Sequence, residues 1–441
     1  MAIIYQAKKA VVVKPAQRLI INALDHLGQG MARLDGRIVF VPGALPGETV
    51  QVKLSSQKKN FSKAELQKVL EPSPDRQPAA CPHYQQCGGC QLQHAKPEAQ
   101  LRWKQQAVEQ LLSHQLGLAQ LPWEAAITGP EFGYRRKARL GVWYQQSKKV
   151  FQLGFRQQGD FRIQPLTKCQ VLSPVLQPVF SVLLPVLKQL QQGRSITHLD
   201  LIDADGVAYV VVRHIAPLPA SDKAQLCASW PQARWFGEAE TGCFSAWQDS
   251  EPDLSYALTS QQLQLSFQPD DFIQVNAAVN QQMVATALDW LSIQPQDRVL
   301  DLYCGIGNFS LPLAQQAAEV VGVEGLAAMV ERAATNAANN GLSNVQFERA
   351  DLHLPWPDSG WSLQRFDKIL LDPARAGASG AIEQLARLGA GKVLYVSCNP
   401  ETLARDAGQL LQQGYRLTRL KAVEMFPQTR HLEVMALFEQ V

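Results

Sequence analysis

The chain lacks a long hydrophobic run. Its most lipid-like stretch, Ser173 to Leu190, is interrupted by Pro174, Gln177, Pro178, Pro185 and Lys188, and is too short and too polar to span a bilayer. A secretory leader is missing as well, because MAIIYQAKKA has no basic segment leading into an apolar one and a cleavage site. Both absences lead to the expectation of a cytoplasmic protein without membrane contact. Strong charge of one sign is also absent. With a net charge of +3 over 441 residues, no global basic field marks a nucleic-acid binder, and any such surface must be local. There is no internal repeat and no low-complexity tract.

What is present is a globular composition, 46% apolar, in a chain too long for one ordinary core. Two or three domains are expected. A reducing compartment disfavours structural disulfides, so clustered cysteines become metal or catalytic candidates. Of the eight, Cys81, Cys87 and Cys90 crowd into ten residues, while Cys169, Cys227, Cys243, Cys304 and Cys398 are dispersed.

Residues 10–72 read as short strands, RLIINALD, RIVFVPG, ETVQVKL and KAELQKVLEP, separated by Asp35-Gly36, Pro42-Gly43 and Pro46-Gly47 turn pairs. Four or five such strands make a small antiparallel barrel of the OB-like class. The lysines Lys53, Lys58, Lys59 and Lys63 suit either RNA or a solvated loop. EPSPDRQPAA, at 71–80, is a Pro-rich linker, and a helical pattern covers Lys96 to Leu116. From about 125 to 268 the pattern is strand-like, with a helical interruption near 173–192. Cys227 and Cys243 in this region read as buried thiols. Arg135, Arg136, Lys137 and Arg139 follow Tyr134, a basic and aromatic mixture that suits single-stranded RNA or a solvated strand edge.

From about 270, strands and helices alternate: RVLDLY, EVVGVE, VQFERA, DKILLD, KVLYVS and EVMALF mark a doubly wound, mostly parallel sheet. Its first strand runs into Tyr303-Cys304-Gly305-Ile306-Gly307-Asn308-Phe309 and then a helix. Glycines there let backbone approach a ligand, and Glu324, ending the next strand, is positioned to accept two ribose hydroxyls. Ser310 stands where a dinucleotide loop has its third glycine, which favours S-adenosylmethionine over a pyrophosphate-bearing cofactor. Asp351 closes the third strand, toward an adenine amino group. Cys304 reads as structural.

Three further segments carry chemistry: Leu371-Asp372-Pro373-Ala374-Arg375-Ala376-Gly377, Val396-Ser397-Cys398-Asn399-Pro400, and Phe426-Pro427-Gln428-Thr429-Arg430-His431-Leu432-Glu433. In this order, with Asp271-Phe272-Ile273-Gln274-Val275-Asn276 upstream, they resemble the RNA uracil-5-methyltransferases over essentially the whole chain. The resemblance implies Cys398 as nucleophile and Glu433 as base. It places Gln274, Tyr303, Gly305, Asn308, Glu324, Asp351 and Asp372 at the S-adenosylmethionine site. For Gln274 the alternative is an ordinary polar residue before a helix capped by Asn276. The chemistry needs this set, since uracil C5 is a poor nucleophile until a thiolate adds to C6.

The barrel is similar to a TRAM domain, and the cysteines fall where the family carries an iron–sulfur centre. The spacing of Cys81, Cys87 and Cys90 with a distant fourth thiolate fits zinc, with His83 or His94 as possible substitutes, or a four-cysteine cluster. Resemblance favours [4Fe–4S] with Cys169 fourth, as a structural clamp. The expectation is therefore a multidomain chain: a TRAM barrel over 10–72, a cluster segment and central mainly β RNA-binding domain over 73–268, and a Rossmann-like methyltransferase domain over 269–441. Its implied substrate is a uridine of 23S ribosomal RNA, before full ribosome assembly, with no DNA partner and a monomeric state. The alternatives are the same chemistry on tRNA, an RNA cytosine-5-methyltransferase, which would carry a proline-cysteine motif in the fourth-strand segment, and a non-catalytic RNA-binding protein.

Overall fold

The computed structural model describes residues 16–240, 242–248, 254–356, 358 and 360–441. The described residues divide into two compact units, one formed by residues 16–78 with 91–107, the other by 79–90 with those from 108 onward. Among the described residues no helix is long and apolar enough to cross a membrane.

The first unit holds six strands, Gln17–Ile20, Ala23–Leu24, Gln29–Leu34, Arg37–Pro42, Thr49–Gln57 and Phe61–Glu71, in sheet order 1-5-6-4-3-2. Alternating Val39, Val41, Val50 and Val52 point to one side and form its core with Leu19, Ile21, Ala32 and Ala64. Three features depart from the sequence expectation. RLIINALD breaks at Ile21-Asn22 into two strands, and Arg37–Pro42 pairs parallel, not antiparallel, with Phe61–Glu71. Gln29–Leu34 was not anticipated as a strand, because GQGMARL has too few β-branched residues to signal one.

In the second unit a seven-stranded sheet comes first along the chain. Its spatial order is Cys243–Ala246, Arg234–Glu240, Val207–His214, Ile196–Ala204, Lys137–Gln145, Val150–Arg156 and Ile163–Pro165. The helix Val179–Leu187 covers one face with Val179, Phe180, Leu183 and Leu187. A second helix, Ala220–Ser229, corrects the strand-like reading of its stretch. It serves as the crossover required by the parallel pair Val207–His214 and Arg234–Glu240. Cys227 therefore lies on a helix and is only half-buried, and Cys243 sits exposed on an edge strand, so neither is the buried strand thiol expected.

The last sheet has spatial order Val345–Arg349, Glu319–Glu324, Arg298–Leu302, Lys368–Leu371, Lys392–Ser397, Glu433–Gln440, Tyr415–Val423. Counted along the chain this is 3-2-1-4-5-7-6, five parallel strands and an antiparallel pair at one edge. The inner parallel strands are largely apolar on both faces because helices cover both, whereas the edge strand Val345–Arg349 is more polar and largely exposed. Ala277–Leu291 buries Val279, Met283, Val284, Ala287 and Trp290, while Pro400–Gln412 buries Leu403, Ala404, Ala407 and Leu410. Tyr415–Val423 escaped the sequence reading, its apolar alternation being diluted by Arg416, Arg419 and Lys421. Every chemistry-bearing loop leaves this sheet at the carboxyl ends of its parallel strands, except the one that enters Glu433–Gln440 and so reaches the same edge from the other direction.

Candidate active site

The loop after Arg298–Leu302 is shaped by backbone that side chains rarely allow. Tyr303 has φ 64°, Gly305 φ 56° and Gly307 φ 96°. A Cβ at Gly307 would lie 2.4 Å from Leu311 Cδ1, whereas one at Gly305 would meet open space. The first glycine is thus required by conformation and the second by packing as well. Ser310, opening the short helix Ser310–Ala314, donates to buried Asp301 at 2.5 Å and fastens the loop back to its strand. Burial pushes the Asp301 carboxyl up to about 7, and its second oxygen has no partner.

Glu324 ends its strand as expected. One of its oxygens accepts from the Gly305 N–H at 3.2 Å and the other from Gly325 and Leu326 at 2.8 and 3.1 Å. Asp351 lies two residues beyond its strand, accepting from His353 N at 3.0 Å. Together with Tyr303, Leu326, Arg349, Leu352 and His353, these carboxylates line a cleft of about 670 Å³. Its composition suits an adenosine: carboxylates for hydroxyl and amino groups, apolar Leu326 and Leu352 for the ring. The buried Tyr303 hydroxyl has no partner, an orphan polar atom that a ligand would satisfy. The lining residues Leu326, Leu352 and His353 carried no sequence signal.

Asn308 and Gln274 are not among the residues lining that cleft. Asn308 Oδ1 accepts from Tyr256 Oη and Asn280 Nδ2, both at 2.9 Å, and its amide donates back to Asn280 at 3.1 Å. Gln274 is buried just before Asn276, which caps Ala277–Leu291 through its side chain.

The chemical groups meet farther along the same edge. Asp372 is the first residue past Lys368–Leu371, and its N–H donates to Leu302 O at 3.3 Å beside the glycine loop. Cys398 is the first residue past Lys392–Ser397. That strand pairs antiparallel with Glu433–Gln440 through Ser397 and Val434, so the register carried one step further sets Cys398 opposite Glu433. The three groups feel one another. Burial first, then the charges of Glu433 and Asp372, push the Cys398 thiol up to about 11, while Arg375 opposes the rise. Burial and Asp372 push Glu433 up to about 8, and burial alone takes Asp372 to about 7. Glu433 is 5% exposed, with one carboxylate oxygen buried and unpartnered. Burial, with charge repulsion on Cys398 and Glu433, thus favours the protonated form of all three groups.

The loops are held by Asp406, a residue the sequence did not single out. Its Oδ2 accepts from Tyr395 Oη and Ala378 N, each at 2.7 Å, and Oδ1 accepts from Arg405 Nε at 2.7 Å. Asn399 caps Pro400–Gln412 and donates to Arg375 O at 3.0 Å.

The cysteine loop 81–90 is stitched to the hairpin Val150–Arg156 and Ile163–Pro165 by Gly88 N–H to Arg156 O and Gln158 N–H to Gln86 O, both 2.9 Å. Among the described residues Cys81, Cys87, Cys90 and Cys169 form no disulfide. Cys169, pushed up to about 11 chiefly by burial, feels Cys87 and Cys81, and its sulfur accepts N–H donors from Leu172 and Val171. The Gly89 N–H points at Cys87 Sγ from 3.5 Å. Backbone donors to sulfur fit thiolates that ligate a cluster. As they stand, no three His, Cys, Asp or Glu among the described residues are grouped tightly enough to hold a metal ion. His94, driven to about 4 by burial and Arg76, keeps company with Arg76 and Glu48.

The sequence expectation of a basic surface is corrected at Arg136, which is 4% exposed; Lys137 donates inward to Asp271 O, while Arg139 is exposed and pairs with Asp200 at 2.6 Å. A basic run on a strand alternates faces, so only part of it can meet solvent.

A family model described as tRNA (Uracil-5-)-methyltransferase matches residues 253–352 and 360–441, and a TRAM domain model matches 15–67. The "23S rRNA (uracil(1939)-C(5))-methyltransferase RlmD" of Pseudomonas putida is 46% identical over 433 residues, 97% of this chain and 95% of its own. The protein of the same description from Vibrio vulnificus is 43% identical over 445 residues, covering both chains fully. The crystal structure of Pyrococcus abyssi tRNA (uracil-54, C5)-methyltransferase with S-adenosyl-L-homocysteine superposes with TM-score 0.73 at 23% identity, over 96% of this chain and 100% of that one, and bears on the fold. With relatives this similar along nearly the whole chain, the protein belongs to the S-adenosylmethionine-dependent RNA uracil-5-methyltransferases that carry a TRAM domain.

Proposed function

We propose that this protein methylates C5 of a uridine in 23S ribosomal RNA, at the position for which its relatives are named, through a covalent adduct between Cys398 and uracil C6. The observation that carries the reading is the meeting of Cys398, Glu433 and Asp372 at neighbouring strand ends beside the glycine loop. Bound S-adenosylmethionine supplies an electrophilic methyl on a sulfonium. Glu324, Asp351, Tyr303 and the Gly305 backbone would hold its adenosine, with Gln274, Asn308 and Asp372 completing the pocket.

Cys398, as thiolate, adds to C6 and leaves an enolate whose C5 is nucleophilic. Once C5 has taken the methyl, Glu433 removes the C5 proton and the electron pair of that bond re-forms C5–C6 as the thiolate departs. The base must sit where water cannot compete, which the burial of Glu433 provides. Reaching both groups requires the uridine to leave its stack, so a looped site suits this enzyme better than a duplex. Cys81, Cys87, Cys90 and Cys169 would hold a [4Fe–4S] cluster; methyl transfer and elimination change no oxidation state, so the cluster would act as a structural clamp on the central sheet.

RNA carrying 5-fluorouracil at the target tests the covalent step. Fluorine cannot leave as a proton, so methylated RNA should remain bonded to the enzyme through denaturing electrophoresis. Cys398→Ala should form no such complex and should lose methylation. A Cys398→Ala enzyme that methylates like wild type would refute the assignment, and mass mapping of ribosomal RNA from a deletion strain identifies the nucleotide.

A further inference from the structure

Arg136 is a buried guanidinium between two segments of the cofactor pocket. Its Nε donates to Gln274 O at 2.7 Å and its backbone N–H to Val275 O at 2.9 Å, gripping the segment that leads into Ala277–Leu291. The same guanidinium lies 4.5 Å from the centre of the Tyr256 ring. Tyr256, fully enclosed on the hairpin strand Ser255–Leu258, donates a hydrogen bond from its hydroxyl to Asn308 Oδ1 in the glycine loop at 2.9 Å. The Arg136 carbonyl in turn accepts from Asp203 N at 2.7 Å, and Asp205 fixes the hairpin by accepting from Ala257 N at 2.7 Å. A cation stacked on an aromatic face is strongest where water is excluded, as it is here.

We propose that Arg136 and Tyr256 are positioning residues for the cofactor pocket, with Arg136 setting the Gln274 segment and Tyr256 setting Asn308. This rests on Gln274 and Asn308 belonging to that pocket. One residue of the central sheet therefore fixes the spacing between both segments, and its basic charge serves structure and not phosphate contact. Neither residue touches the reacting atoms.

The test separates cofactor affinity from RNA affinity in the full-length protein. Tyr256→Phe removes one oxygen and keeps the ring under Arg136. It should weaken equilibrium binding of S-adenosylhomocysteine about three- to tenfold, the cost of one buried hydrogen bond. RNA affinity and its slope against salt should stay at wild-type values. Arg136→Lys keeps the charge but loses the planar fork, and should act in the same direction with a larger effect. If Arg136 were a phosphate contact, Arg136→Lys would weaken RNA binding and leave cofactor binding intact, which would overturn the proposal. Unchanged cofactor affinity in Tyr256→Phe, or equal losses for both ligands, would also overturn it. Wild-type protein that bound no S-adenosylhomocysteine would instead remove the pocket assignment beneath it.

Discussion

Glu433, the proposed base, is enclosed by protein and feels the charge of Asp372. Its carboxyl is raised from the ordinary 4.5 to about 8, so the folded protein keeps a proton there that the unfolded chain has released. The stability this proton brings is complete below the ordinary carboxylate range and is lost as pH climbs through about 8. Each tenfold change in proton affinity is worth about 1.4 kcal/mol. Glu433→Gln cannot ionise, and should exceed wild type in stability by a few kcal/mol at pH 9 while differing little at pH 5. Thermal unfolding across that range is the measurement, and parallel curves would contradict the burial argument. If Glu433 and Cys398 work deprotonated as proposed, kcat/KM of the wild type should rise with pH through about 8 and on toward about 11.

At the scale of elements, the site depends on strand ends being held level. The loop after Lys368–Leu371 and the helix Pro400–Gln412 meet at Asp406, which is wholly buried and satisfies Tyr395, Ala378 and Arg405 together. Removing its carboxylate strands a buried hydroxyl and a buried N–H without acceptors. Asp406→Ala should cost about 3 kcal/mol, roughly 6–12 °C in the melting of a domain this size. Calorimetry would show it, and methylation should fall further than stability alone explains, because Cys398 and Arg375 stand on the two loops that Asp406 joins. A variant that melts like wild type would show that the loops are held by other contacts.

At the scale of the molecule, the proposed cluster links the cysteine loop to the central sheet, with N–H donors directed at the sulfurs of Cys169 and Cys87. Protein purified without oxygen should be brown with about four irons per chain. Cys169→Ser should lower that content, and its loss should loosen the hairpin near Arg156 and Gln158 as seen by hydrogen exchange. Stoichiometric zinc in colourless anaerobic protein would overturn the assignment.

Much of this was legible in the amino-acid sequence because it is local. The strand–glycine–helix order around Gly305, the acidic residue ending the next strand, the Ser-Cys-Asn-Pro turn and the cap at Asn276 depend on neighbours a few residues away, and composition and spacing record them. The positions of Cys398 and Glu433, 35 residues apart, became a pair only through antiparallel register between their strands. Arg136 reads as an RNA contact because a basic run next to a tyrosine looks the same whichever face it takes. Its burial against Tyr256 and Gln274 follows from the packing of the central sheet on the methyltransferase fold. The raised pKa values of Glu433, Asp372 and Cys398 belong to this second class too, since a carboxyl or thiol acquires them from the low-dielectric enclosure that only the folded chain creates.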